Sequence, residues 1–328
     1  MKKWLASLLV VFSVLVMVAC GNNDTTTEEN AQTSEEQAYT VDKVQATYVK
    51  SPLNVPSIVE KEKGFLAKAF EEEGVAFEYS NLTTGPEQTQ ALASGDIQFL
   101  NAVGATSVIS SAANGADIKI ISMYSRSPKA FMLFTNKDNI TSPQDLVGKK
   151  VAGPKGTILH ELLVRYLASE GLTESDINLV QMDIPSAQAA LVAGEVDCAL
   201  LAGPTAYNMI QDGYKVVTTG EGLVDGTIVV ATSQDFYSKN EGLVKKFLQV
   251  QQETLQYMNE NYEEVMDITA KETELPIEGV KEMYEMYDFN MEIKPSDIES
   301  MQKTVEFMKE NNMIENDVDV QSLILEVK

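Results

Sequence analysis

The chain holds a single histidine, His160, and two cysteines, Cys20 and Cys198. That scarcity excludes the common zinc cages and the Cys–His pairs of thiol nucleophiles, so neither a metal nor a cofactor is expected. Neither a G-x-S-x-G turn nor a G-x-x-x-x-G-K-[ST] loop occurs, which leaves serine-hydrolase and phosphate-loop chemistry without a carrier. Basic residues are also few: 25 Lys and Arg stand against 49 Asp and Glu, a net charge of −24. Phosphate backbones demand cationic patches, so nucleic acid is not a partner. Much of the acid is local, with twelve acids and two lysines between Glu253 and Glu292, as solvated helix faces would show. The single Trp is Trp4, so any ring stacking elsewhere falls to Tyr or Phe.

Long apolar runs are scarce as well. The one candidate is Trp4 to Ala19, 16 residues that follow Lys2 and Lys3. A charged start, a short apolar core and a small residue before a cut make a secretory signal over residues 1–19; a spanning helix needs about 20 apolar residues. Met17-Val18-Ala19-Cys20-Gly21 is similar to a bacterial lipobox. Cys20 would then carry a diacylglycerol and acyl chains such as palmitate, and two or more chains anchor stably. Cys198 is left without a partner for a disulfide, and its apolar surroundings suit a small core residue. Residues 20–40 hold almost no apolar side chains and several acids, a composition that suits a disordered tether.

From Val41 onward the pattern alternates. VQATYV, VAFEYSN, IQFLNAV and IKIISMYS read as strands, separated by helical stretches that close at Gly64, Gly95 and Gly115. KAFMLFTNKD is a further strand; KKVAGP, INLVQMD, VDCALLA and YKVVTTG follow with helices between them, then TIVVATSQDF. Such alternation is the mark of β/α units. One element occurs twice: ALASGDIQFLNAVGAT at 91–106 aligns without a gap on ALVAGEVDCALLAGPT at 190–205. Each reads as helix, Gly stop, buried strand and a Gly-x-Thr loop, so the chain carries two related halves, with Thr106 and Thr205 expected to face one cleft. Helices close the chain, one of them opened by a capping box from Ser296 to Glu299.

These stretches, together with DLVGKKVAGPKGTILHELLVRYLASEGL and VEFMKENNMI, resemble the substrate-binding lipoproteins of ABC importers. The resemblance is to the nitrate, sulfonate and taurine family, which also includes binders of a thiamine pyrimidine precursor. It covers the chain from Val44 to near its end. It implies an α/β, two-lobed periplasmic-binding-protein-like fold of type II, each lobe a sheet flanked by helices, with two crossover strands as the hinge. Lobe 1 would comprise 41–130 and 233–328, and lobe 2 131–232. It further implies a monomer, lipid-anchored on the extracytoplasmic face of the cell membrane, that hands a small anion to an ABC permease and its ATPase. The alternatives are a heteroaromatic ligand in the same role, or an exported enzyme or signalling receptor on the same fold.

Ligands of open α/β sheets lie beyond the carboxyl ends of the strands. Here those ends are Ser51-Pro52-Leu53-Asn54, Thr84-Gly85-Pro86, Gly104-Ala105-Thr106, Lys155-Gly156-Thr157 and Gly203-Pro204-Thr205. Each precedes a helix, whose first turn offers free N–H groups and a positive dipole end to an anion. The plainer reading is that these are turn and cap residues. Arg126, at the start of RSPKAF, is either an anion partner at the cleft mouth or a surface cation. His160, four residues after Gly156, either reaches the ligand or packs its helix. Tyr48, Tyr79 and Tyr207 either stack on a flat ligand or are half-buried.

Overall fold

The structure is a computed structural model and describes residues 39–328; the signal sequence, Cys20 and most of the tether lie outside the described residues. The first region runs β1 (Lys43–Thr47), α1 (Val55–Lys63), α2 (Phe65–Glu72), β2 (Ala76–Ser80), α3 (Gly85–Ser94), β3 (Leu100–Gly104), α4 (Ala105–Ala113) and β4 (Lys119–Arg126). The second runs β5 (Phe131–Thr135), β6 (Lys150–Gly153), α5 (Ile158–Ala168), β7 (Asn178–Gln181), α6 (Ile184–Val192), β8 (Cys198–Ala202), α7 (Gly203–Gln211) and β9 (Lys215–Thr219). The chain then returns through β10 (Thr227–Thr232), α8 (Gln234–Lys239), α9 (Glu241–Glu260), α10 (Tyr262–Thr273), α11 (Ile277–Tyr284), α12 (Pro295–Glu310) and α13 (Val320–Leu323).

Two lobes result, each built on its own strands. In the first, β1 pairs parallel with β2, an Ala46–Phe99 bridge joins β1 to β3, and β10 sits antiparallel between β3 and β4. In the second, the order is β7-β6-β8-β5-β9, with β6 parallel to its neighbours and β5 antiparallel to β8 and β9. Each antiparallel strand follows a crossing between the lobes, so the reversed direction records where the chain changed sheets. β10 belongs to the first sheet by its pairing, although its residues fall within the span 131–232 expected for lobe 2. The crossings touch: Ser127 N–H donates to the Gly226 carbonyl at 3.2 Å. Gly226 has φ +61°, and a Cβ there would lie 2.5 Å from the Ser127 carbonyl carbon, so the hinge tolerates no side chain at this point.

The crossing strands are buried on both faces, as their unbroken apolar sequence requires. Alternate residues of β5 serve two cores: Phe131 and Leu133 face α5 and the first lobe, Met132 and Phe134 face α6 and α7. β10 divides likewise, Ile228 and Val230 from Val229 and Ala231. Phe99 stacks on Phe247 of α9 with centroids 4.1 Å apart, fastening the returning helices to the first sheet. Burying such a ring contributes roughly 1.5–3 kcal/mol.

Three local expectations are corrected. GAT and GPT are not loops: Ala105-Thr106 already lie in α4 and Gly203-Pro204-Thr205 in α7, because a single extended residue suffices to cap each helix. The Ser296–Glu299 capping box does not form. Pro295 starts α12 two residues earlier, with Lys294 at the cap position, and Asp297 accepts the Lys294 N–H at 2.7 Å instead. A capping box does form at α3, where Thr84 Oγ1 accepts from Glu87 N and Glu87 accepts from Thr84 N.

Candidate functional site in the interlobe cleft

Between the lobes lies a cavity of about 70 Å³. Its walls come from the loop after β1 (Val49, Ser51, Pro52), the start of α3 (Thr83, Thr84, Gly85, Gln88) and the junction of β3 with α4 (Ala102, Gly104, Ser107). The second lobe adds Phe131, Pro154, Thr157, Ile158, Leu159 and Ile184, and β10 adds Ile228. Among the described residues no charged side chain lines it. The polarity therefore comes from backbone groups, hydroxyls and the Gln88 amide. Helices α4 and α5 present their N-termini from opposite lobes, and neither carries a side-chain cap. Thr157, at the α5 cap position, turns its hydroxyl to the Pro154 carbonyl at 2.7 Å. The first-turn amides of both helices are thus free of side-chain acceptors, and residues of both first turns line the one cavity. The third terminus, α3, is held loosely by Thr84, with 3.5 Å between Glu87 N and Thr84 Oγ1. The fourth, α6, is already capped by Asp183 at 2.9 Å.

Ala102 has φ +72° in strand β3, a conformation costly for a residue with a Cβ. Its neighbour Asn101 is bonded on every side. Asn101 Nδ2 donates to Glu60 Oε2 at 2.9 Å, Gln251 Nε2 donates to Asn101 Oδ1 at 2.8 Å, and Asn101 N–H donates to Thr47 Oγ1 at 2.8 Å. Glu60 is fully buried, and burial, only partly offset by the Asn101 bond, pushes its carboxyl up to about 8. Burial thus favours its protonated form.

The lobes meet on a second carboxylate. Glu161 of α5 is 3% exposed. It accepts the Thr106 hydroxyl of α4 at 2.6 Å and the Thr304 hydroxyl of α12 at 3.1 Å, while Arg165 of its own helix donates through Nε at 2.9 Å. The Arg165 guanidinium also lies 3.9 Å over the Phe307 ring of α12. Ser107 adds a bond across the cleft to the Gly156 carbonyl at 2.7 Å.

Of the residues singled out in the sequence, Ser51, Gly85, Gly104 and Thr157 line the cavity. Gly85 is required there, because a Cβ would fall on Ser107 Oγ. Leu53 and Asn54 are fully buried beneath it: Leu53 N–H donates to the Tyr287 hydroxyl at 2.9 Å and Asn54 Nδ2 to the Val49 carbonyl at 2.9 Å. Pro86 sits against Gly156 and Gly203 against Pro52, both across the cleft. Ala105 is buried and Pro204 opens α7; neither reaches the cavity. Thr106 is spent on Glu161, and the Thr205 hydroxyl donates to the Ala202 carbonyl at 2.8 Å. Tyr48, Tyr79 and Tyr207 do not line the cavity; Phe131 is the ring that does.

Arg126 is not at the cleft mouth as an anion partner. Its Nε and Nη2 grip Asp297 at 2.7 and 2.6 Å, and its three remaining donors reach the Asn290 and Glu292 carbonyls at 3.0 and 2.8 Å and the Asp288 carboxylate at 3.5 Å. Nothing is left to offer a solute. His160 packs its loop: Gly156 N–H donates to Nδ1 at 3.2 Å and Nε2 meets Glu174 at 2.6 Å. With Nδ1 accepting, the proton sits on Nε2 and is given to Glu174. Burial holds the imidazole below its usual range, with Glu174 only partly opposing. Cys198 lies buried in β8, where burial pushes its thiol up to about 12, so it is no nucleophile at neutral pH. Sequence reasoning missed Gln88, Ser107, Phe131, Ile184 and Ile228. The first two stand one turn inside their helices, where a search confined to strand ends does not look.

A Bacillus subtilis protein named, provisionally, for binding aliphatic sulfonates is 27% identical over 275 residues, covering 82% of this chain and 82% of its own. The taurine-binding periplasmic protein of Escherichia coli is 28% identical over 180 residues, 54% of this chain and 55% of its own. In structure, the alkanesulfonate-binding protein of Xanthomonas axonopodis pv. citri bound to MOPS superposes with a TM-score of 0.80 at 22% identity, over 88% of this chain and 100% of that one. That likeness is one of fold: the two-lobed arrangement is shared. The profile of the NMT1/THI5-like family matches residues 51–265, from the first cleft loop through both lobes into α10, and the chain belongs to that family.

Proposed function

We propose that this chain is the extracytoplasmic solute receptor of an ABC importer, and that it captures a small anion of the alkanesulfonate, taurine or nitrate class between its lobes. The observation that carries this reading is the pair of uncapped helix N-termini, α4 and α5, whose first turns line one cavity without charged side chains. Each terminus favours a negative group by about 0.3–1 kcal/mol, and up to about 2 kcal/mol where partly buried. Nine of the lining residues are apolar, which suits a short carbon tail behind the anion. The names of the relatives in Bacillus and Escherichia point to sulfonates and taurine.

Capture would follow the hinge. With the Ser127 and Gly226 crossings as the pivot, the lobes close until Thr106 and Thr304 meet Glu161, and the closed form docks on a permease. The Cys20 acyl chains would keep the receptor at the membrane surface; a Cys20→Ser chain that still partitioned into the membrane fraction would contradict that anchor. Among the described residues no helix is long and apolar enough to cross a membrane. His160 and Cys198 are both buried outside the cavity, which supports a binding role over a catalytic one.

Melting curves against ethanesulfonate, taurine, nitrate and a pyrimidine panel test the reading. A ligand at 100 times its Kd stabilises by about 2.7 kcal/mol. The anions are expected to raise the melting temperature and the pyrimidines not. A shift with a pyrimidine alone would favour the heteroaromatic reading, and no shift with any compound would count against the receptor.

A further inference from the structure

Gln88 lines the cavity, is 3% exposed, and leaves its Oε1 with no hydrogen-bond partner. The orientation of its amide is not free. Nε2 donates to the Leu82 carbonyl at 3.0 Å, and a flipped amide would set oxygen against oxygen there. Oε1 is therefore the atom left over, and it can only accept. Three hydroxyls of the wall are already engaged within the protein. The Ser107 and Thr157 hydroxyls give their protons to the Gly156 and Pro154 carbonyls, and Thr84 Oγ1 accepts from Glu87 N–H.

We propose that Gln88 is a specificity-determining residue whose Oε1 reads a neutral hydrogen-bond donor, a hydroxyl or an amide N–H, on the solute a short distance from its anionic group. This rests on the receptor reading above. A buried acceptor without a partner costs free energy, and natural structures rarely tolerate one without a use. A solute with a donor at that point removes the cost; one with a methyl group leaves it. An ammonium is a poorer match, because it brings three donors and a positive charge to a wall that offers no carboxylate. The anion at the α4 and α5 termini and the donor at Gln88, on the fourth residue of α3, would fix both ends of the solute.

The test is calorimetric titration of the full chain with ethanesulfonate, 2-hydroxyethanesulfonate and 2-aminoethanesulfonate, repeated on Gln88→Met. Wild type is expected to bind the hydroxy compound about tenfold to a hundredfold more tightly than ethanesulfonate, with the amino compound no tighter than the hydroxy one. In Gln88→Met the hydroxy advantage, read as the ratio of the two affinities in the same variant, should fall to within about threefold. Equal wild-type affinities for ethanesulfonate and 2-hydroxyethanesulfonate would overturn the proposal, as would a hydroxy advantage that survives in Gln88→Met or an amino compound that binds tightest. The wild-type comparison stands even where the variant folds poorly. Failure of all three sulfonates to bind would strike the receptor reading itself, a result distinct from binding without preference.

Discussion

Replacing Thr106 by Val isolates one of the contacts that join the lobes. The hydroxyl lies 2.6 Å from Glu161 Oε2, and both residues are buried. Its loss removes one hydrogen bond to a charged group, worth about 1.5–3 kcal/mol. In an open form both groups are hydrated, so the loss falls on the closed form alone. A solute that binds only the closed form then loses affinity by the same amount, about ten- to hundredfold. Thr304 and Arg165 still hold Glu161, which keeps the expected effect toward the lower end. Calorimetry with the tightest anion gives the Kd, and stopped-flow release should place the change in the dissociation rate. Thr106→Ser keeps the hydroxyl and should bind nearly as wild type. A Val variant that binds within about twofold of wild type would refute the reasoning, since a charged hydrogen bond of this kind cannot be that cheap in the closed form.

Further outcomes follow from the buried ionisable groups. Glu60 keeps its proton up to about pH 8 in the fold against an ordinary value of 4.5. Its contribution is therefore full below pH 4.5 and is lost as pH rises through about 8; Glu60→Gln should gain about 3 kcal/mol at pH 7 in chemical denaturation, a gain that vanishes toward pH 4.5. His160 runs the other way, because its folded pKa lies below 6.5. The unfolded chain takes up the proton first, so the stability it contributes is present above pH 6.5 and lost as pH falls through the folded pKa; the wild-type minus His160→Gln difference in melting temperature should shrink on acidification. Arg126→Ala should destabilise the chain by about 3 kcal/mol or more, since it leaves Asp297 without its bidentate partner. With the variant kept folded at low temperature, anion affinity should be unchanged, because Arg126 does not line the cavity.

The sequence echo located the architecture well. Its two copies are α3-β3-α4 and α6-β8-α7, and in each lobe the echoed strand pairs antiparallel with the crossing strand, β3 with β10 and β8 with β5. Apolar periodicity and glycine stops are local signals, and they suffice for strands that are buried on both faces. The same locality explains what was not legible. Arg126 looked free because its partner Asp297 is 171 residues away, and Thr106 looked like a ligand donor because Glu161 reaches it only when the lobes meet. Thr205, its counterpart in the echo, turns back to its own chain. Gly104 lines the cavity while the matching Gly203 packs on Pro52, so the halves are alike in fold and unlike in what they give the cleft. Gln88 carries no motif at all; its role emerges only from an acceptor left without a partner.

The central claim is that an anion sits between the first turns of α4 and α5. The most direct measurement is a crystal structure with 2-bromoethanesulfonate, in which the bromine marks the tail by anomalous scattering. The account predicts sulfonate oxygens about 3 Å from first-turn amides of both helices, with the bromine toward the apolar wall. A sulfonate bound elsewhere, or a cleft that closes around nothing in the presence of the compound, would contradict it.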